Sequence, residues 1–193
     1  MRIIAGTARS RVIEAPRGTD TRPTLDRVRE NLFNVLRREV PGAQVLDLFA
    51  GSGALALEAL SRGAGSAVLV DSQRAAQEAE ARNVQALGFG DRARLLRMDW
   101  RRAVQLLTAE GARFDLVFLD PPYALHDLTE VTGALLPLLA EDALVCVEHP
   151  AREPSAVSAA LSLCDRRQWG YVGVSLYRKG EEDGGNMPDP GQL

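Results

Sequence analysis

Gln44-Val45-Leu46-Asp47-Leu48-Phe49-Ala50-Gly51-Ser52-Gly53-Ala54-Leu55-Ala56-Leu57-Glu58-Ala59-Leu60 is the stretch that decides the fold. Residues 44–49 form an apolar run with one acid, the pattern of a strand buried on both faces. Residues 54–62 form an Ala/Leu helix that Gly63 stops. Between them lies a tight turn built on Gly51 and Gly53. The unit then recurs down the chain. Strands are expected at 66–71, 94–98, 114–119 and 143–148, and helices at 73–87, 99–109 and 128–139. Strands alternating with helices predict a parallel sheet covered on both faces. The end differs: 155–163 reads as a helix, then 164–169 and 171–178 as two strands around Gly170. Strands joined by so short a turn must pair antiparallel.

Upstream, residues 2–5 and 11–15 read as short β segments separated by a Gly6 turn. Thr21-Arg22-Pro23-Thr24 opens a helix with Thr24 as its cap, and Leu25, Val28, Leu32 and Leu36 recur at helical spacing. Phe33 widens that stripe, which predicts packing on the main body. Three parts are expected: an Arg-rich extension (1–40) packed on the main domain, the main domain (41–179), and a disordered tail (180–193) almost without apolar side chains.

At 193 residues, with 46% hydrophobic and 25% charged, the chain has the length and composition of a folded globular domain. No apolar run approaches the roughly 20 residues of a membrane span, and no secretory h-region is seen near Met1, so a cytoplasmic location is expected. Cys146 and Cys164 lie in unrelated segments without ligand-spaced partners, so no disulfide or metal is expected and both read as small buried hydrophobes. Residues 1–40 hold nine arginines against five acids, a local +4 in a chain of net −3. The rest therefore carries −7. Lys179 is the only lysine. A basic arm on an acidic body suits an anionic polymer, and arginine's planar fork suits phosphate and guanine edges.

Two segments carry chemistry. In the first, the turn at Gly51-Ser52-Gly53 lets a ligand approach the backbone, and Asp71 ends the next strand, where an acid meets ribose hydroxyls. Asp47 would repel a pyrophosphate but attract an amine. Coulomb sign therefore favours S-adenosylmethionine, which has no phosphate and carries a sulfonium and an ammonium, over a nicotinamide dinucleotide. The second is Phe114-Asp115-Leu116-Val117-Phe118-Leu119-Asp120-Pro121-Pro122-Tyr123, which brings Asp-Pro-Pro-Tyr to the same sheet edge. Two prolines remove N–H donors, leaving carbonyls and the Asp120 side chain as an acceptor surface. Such a surface suits an exocyclic aromatic amine whose lone pair receives a methyl group, with Tyr123 stacking on the base.

These residues resemble those of the amino-group methyltransferases that use S-adenosylmethionine. More narrowly, the chain resembles the RsmD family of bacterial 16S rRNA guanine-N2 methyltransferases. The resemblance rests on Met1-Arg2-Ile3-Ile4-Ala5-Gly6, on Arg22-Pro23-Thr24 with Asp26-Arg27-Val28-Arg29-Glu30, on Asp47 to Leu55, and on Leu119-Asp120-Pro121-Pro122-Tyr123. It implies an α/β, Rossmann-like class I S-adenosylmethionine-dependent methyltransferase fold with seven mostly parallel strands and an antiparallel last strand. It also implies that Asp47, Phe49, Gly51, Ser52, Gly53 and Asp71 hold the cofactor, with Asp99 at the adenine amino group. Asp99 also reads as an N-cap. Asp120, Pro121, Pro122 and Tyr123 are implied as the catalytic segment, and Arg9, Arg11, Arg22 and Arg27 as RNA contacts. The implied partner is 16S rRNA in the small ribosomal subunit, bound by a monomer. The chain departs from the family at Asp71 (usually Glu), Leu25 (usually Thr) and Ala56 (usually Gly). Asp-Pro-Pro-Tyr alone leaves open adenine N6 or a protein amide as acceptor. The glycine turn alone leaves open an oxidoreductase.

Overall fold

The computed structural model describes residues 1–16, 23–122 and 125–180. Seven strands form one sheet in the order β3-β2-β1-β4-β5-β7-β6. They are β1 (Gln44–Asp47), β2 (Ser66–Val70), β3 (Ala93–Leu96), β4 (Phe114–Leu119), β5 (Leu139–Pro150), β6 (Leu161–Trp169) and β7 (Val172–Lys179). The first five run parallel. β7 runs antiparallel to both β5 and β6. The helices are α1 (Pro23–Val35), α2 (Ala54–Ser61), α3 (Arg74–Leu87), α4 (Trp100–Ala109) and α5 (Thr129–Leu135).

The apolar runs arise because alternate side chains serve two cores, one per face. In β4, Leu116 and Phe118 join Phe33, Leu36, Leu57 and Leu60. Val117 and Leu119 join Val104, Leu107, Val131 and Leu135 on the other face. β5 divides in the same way, with Leu144 and Cys146 on the first face and Val145 and Val147 on the second.

The first sixteen residues are held on the main domain by Ile3, Ala8 and Ile13, which enter the first core, and by polar contacts with α2 and α3. Glu58, fully buried, accepts the N–H groups of Ile4 (2.8 Å) and Ala5 (3.0 Å) and pairs with Arg62 at 2.7 Å. Gly6 has φ +82°, and a Cβ there would lie 1.8 Å from the carbonyl oxygen of Ser61, so only glycine fits. Asn83 clamps the segment from α3, accepting from the N–H of Glu14 (2.8 Å) and donating to its carbonyl (2.9 Å). Instead of two full strands at 2–5 and 11–15, the segment makes one antiparallel bridge, Arg2 to Val12.

Several boundaries differ from those read in the sequence. α1 starts at Pro23, so Thr24 lies inside its first turn and is not the cap. Proline's fixed φ and missing N–H suit the first helical position. The expected 128–139 helix ends at Leu135 and tightens into a single 3-10 turn over Leu136–Leu138 that contains Pro137. The expected 155–163 helix does not form. Its backbone is recruited by α5: Ser158 N–H donates to Thr132 Oγ1 at 2.8 Å, and the Ala156 carbonyl accepts from Leu128 at 2.8 Å. These tertiary bonds, with Leu161 buried in the second core, override local helix propensity. Cys146 is buried as expected, but Cys164 is exposed, because it lies on β6 at the sheet edge. The expectation of a disordered tail falls on residues 181–193, outside the described residues, whereas Gly180 donates to the Ala160 carbonyl at 2.8 Å. Among the described residues no helix is long and apolar enough to cross a membrane.

Candidate active site

Each of the five parallel strands delivers an acid to the same edge of the sheet. Asp47 ends β1, Asp71 follows β2, Asp99 follows β3, Asp120 follows β4, and Glu148 lies near the end of β5. Ligands of open α/β sheets bind beyond this edge. A cleft of about 740 Å³ lies there, lined by Phe49, Gly51, Asp71, Asp99, Asp120, Pro121, Pro122 and Glu148. A second cavity of about 220 Å³ adjoins it and shares Phe49, Gly51, Asp120 and Glu148. Its remaining wall combines Asp47 and Ser52 with Met1, Pro16, Val28, Arg29 and Leu32, so the arm and α1 roof this part of the site.

The turn after β1 is shaped from below. Asp71 accepts the N–H of Gly51 (2.9 Å) through Oδ2 and that of Gln73 (2.8 Å) through Oδ1. Asn83 donates to the Ser52 carbonyl at 2.9 Å. Gly51 has φ +57°, and a Cβ added there would meet no atom within 4 Å, so it would project into open space at the site. Gly53 is different. Its φ is +77°, but a Cβ would come 2.7 Å from Leu69 Cδ2 and 3.3 Å from Leu57 Cδ1, so it is required by packing in the core and lines neither cavity.

The acids divide by what they touch. Asp47 is buried. Its Oδ2 accepts the N–H of Ala56 at 3.2 Å, while Oδ1 has no partner. Burial pushes its carboxyl up to about 7, repulsion from Asp120 and Asp71 adds to this, and the Ala56 hydrogen bond opposes it. Asp99 caps α4 through the N–H of Arg101 (2.9 Å) while still lining the cleft, so its two expected roles are compatible. Asp120 presents surface to the cleft, yet the surrounding walls strip its carboxylate of water and hold it above the usual range. Glu148 is raised by the same loss of water and then by repulsion from Asp120. Glu80, behind the turn on α3, is fully buried with both oxygens unpartnered, and burial pushes it up to about 8.

Tyr123 and Arg22 lie outside the described residues. Arg9 and Arg27 are exposed. Arg11 is engaged, donating to the Ala86 carbonyl near the end of α3. Arg29 is buried. It donates to the Arg2 carbonyl, pairs with Asp26 at 3.1 Å and lies 3.7 Å from Glu58. Sequence reasoning missed Glu148 and the roof formed by Met1, Pro16 and α1. For Glu148 a signal existed: it is an acid at the end of the apolar run Leu144 to Val147, as Asp120 is after Leu116 to Leu119.

This strand order, with a glycine turn after β1 and an acid after β2, is the fold of class I S-adenosylmethionine-dependent methyltransferases. The chain belongs to the family described as Conserved hypothetical protein 95, whose model matches residues 1–178. It is 40% identical over 190 residues to the Ribosomal RNA small subunit methyltransferase D of Escherichia coli (strain K12), covering 95% of this chain and 93% of that protein. It is 35% identical over 182 residues to the Putative rRNA methyltransferase YlbH of Bacillus subtilis (strain 168), covering 93% and 99%. The solved structure of the putative methyltransferase yhhF from Escherichia coli superposes with a TM-score of 0.78 at 40% identity, covering 93% of this chain and 97% of that one.

Proposed function

We propose that this chain is a cytoplasmic enzyme that methylates the exocyclic N2 of a guanine in 16S rRNA of the small ribosomal subunit, using S-adenosylmethionine. The observation that carries the reading is the meeting of two dissimilar surfaces at one sheet edge. A glycine turn with cofactor-type acids lies beside the acceptor-rich Asp120-Pro121-Pro122 segment, and both open on one cleft. The names of the relatives, which specify methyltransferases of small-subunit ribosomal RNA, support the choice of substrate.

The residues fit the cofactor. The unpartnered Oδ1 of Asp47 is an acceptor waiting for a cation such as the ammonium of the methionine moiety. Gly51 leaves free the space that a Cβ would fill. Asp71, already fixed by two N–H groups, retains lone pairs for ribose hydroxyls. Ser52 and Phe49 complete the cradle, and Asp99 takes the adenine amino group. Gly53 contributes by holding the turn in place. When bound, S-adenosylmethionine supplies an electrophilic methyl group on a sulfonium. Asp120 accepts one N–H of the guanine amine and the Pro121 carbonyl the other, which turns the nitrogen lone pair toward the methyl group. Asp120 would stabilise the positive charge that develops on the amine nitrogen as it is methylated, and would take the proton released. Pro122 keeps the segment free of competing donors, and Tyr123 stacks on the extruded base.

Arg9 and Arg27, with Arg22, would meet RNA phosphates, whereas Arg11 has a structural partner to give up first. Replacing Arg9 and Arg27 together by Ala should lower the salt slope of RNA binding by about one per arginine and leave cofactor binding intact. An unchanged slope removes them from the interface.

The function is tested with labelled S-adenosylmethionine and small subunits from cells lacking the modification, with naked 16S rRNA and DNA in parallel. The methylated nucleoside is then identified after digestion. N2-methylguanosine is expected. Methyladenosine, or label in protein, would overturn the choice of acceptor.

A further inference from the structure

We propose that Glu148 reads the N1–H of the acceptor guanine beside Asp120, and so sets the enzyme's preference for guanine over other purines. This rests on the function proposed above and deepens it.

The argument starts from the sheet. Leu119 of β4 and Val147 of β5 are paired in register, and both side chains enter the second core. Alternation turns the next residues, Asp120 and Glu148, to the opposite face, where α1 and the arm lie. Both line the cleft and the smaller cavity under α1. Neighbouring strands lie about 4.8 Å apart, so the two carboxylates stand side by side at hydrogen-bonding range of one flat edge. Neither makes a salt bridge among the described residues, and repulsion from Asp120 adds to the loss of water in raising Glu148. Arg29, the basic residue on this wall, is engaged with the Arg2 carbonyl, Asp26 and Glu58.

In their charged forms, which a ligand's N–H donors favour, two adjacent carboxylates form an acceptor-only surface. It is satisfied by a ligand edge carrying adjacent N–H donors. Among the four RNA bases guanine alone offers that edge, with N1–H next to the N2 amine. Adenine would set the lone pair of its N1 against a carboxylate, as would cytosine with N3. Uracil flanks its single N–H with carbonyls. With Asp120 on the amine, the neighbouring acceptor falls to Glu148.

The test replaces one atom group on each side of the contact. Reconstituted small subunits carry either guanine or 2-aminopurine at the position the parent enzyme methylates. 2-Aminopurine retains the amine but has a lone pair at N1. The parent should favour guanine in kcat/KM by about tenfold to a hundredfold. Glu148→Gln, whose amide can donate to N1, should discriminate by no more than about threefold, with S-adenosylhomocysteine affinity unchanged. Glu148→Asp, a shorter acid, should keep a preference between these two. If Glu148→Gln discriminates as strongly as the parent, the assignment is wrong while the proposed function stands. If the parent makes no N2-methylguanosine from guanine subunits, the proposed function fails first.

Discussion

The two sides of the cleft handle their acids in opposite ways. On the β2 and β3 side, Asp71 and Asp99 spend carboxylate oxygens on backbone N–H groups of Gly51, Gln73 and Arg101, so the fold itself orients them. On the β4 and β5 side, Asp120 and Glu148 line the cleft side by side with no hydrogen-bond donor to either among the described residues, and loss of water raises both above the usual carboxylate range. Acids of the first kind are rigid and built into the turn, as suits a cofactor of constant shape. Acids of the second kind carry an electrostatic cost that an arriving amine relieves, as suits a site whose ligand must be held most tightly as charge develops. Asp47 lies between the two kinds, with one oxygen bound to Ala56 and one free.

The largest effect should come from the unsatisfied side. Asp120→Ala should lower turnover by about 10²- to 10³-fold. Single-turnover methyl transfer checks this, and a rate near that of the parent would show that the β4 acid is not part of the chemistry. Asp47 predicts the next effect. Its charged form attracts an ammonium, and its carboxyl stands at about 7. Affinity for S-adenosylhomocysteine should therefore hold steady above that pH and weaken about tenfold per unit below it, as a proton takes the place of the ligand cation. Asp47→Asn should flatten the profile. A parent profile already flat between pH 5 and 8 would remove Asp47 from the amine site. The smallest effect belongs to the satisfied side. Asp71→Ala frees the N–H groups of Gly51 and Gln73 and should lower stability by about 1 kcal/mol. Amide exchange at Gly51 should accelerate, and unaltered protection there would show that the turn does not depend on Asp71.

The parallel sheet was legible because burial on both faces writes apolar runs into β1, β2, β4 and β5, and glycines punctuate the helices between them. The satisfied acids were legible as positions, Asp71 as the acid that follows β2 and Asp99 as the N-cap of α4. The packing of the arm on the main domain was legible in the apolar stripe of α1, which enters the first core through Leu32, Phe33 and Leu36, but the clamp on its first residues was not. It depends on Glu58 meeting Ile4 and Ala5 from 54 and 53 residues away, and nothing local in an Ala/Leu helix marks one buried acid as a clamp. The missing 155–163 helix has the same origin, since Thr132 and Leu128 capture its backbone from a distant helix. Glu148 escaped because its meaning depends on register: only the pairing of Leu119 with Val147 puts it beside Asp120.

The central claim is that the two sides of the cleft hold different ligands. Calorimetric titration of S-adenosylhomocysteine into the Asp71→Ala and Asp120→Ala proteins tests it most directly. The account predicts that Asp71→Ala weakens binding by about tenfold, the loss of one or two hydrogen bonds to an anion. Asp120→Ala should bind within about threefold of the parent. Equal and severe loss in both proteins would mean that one ligand spans all five acids, which would contradict the division drawn here.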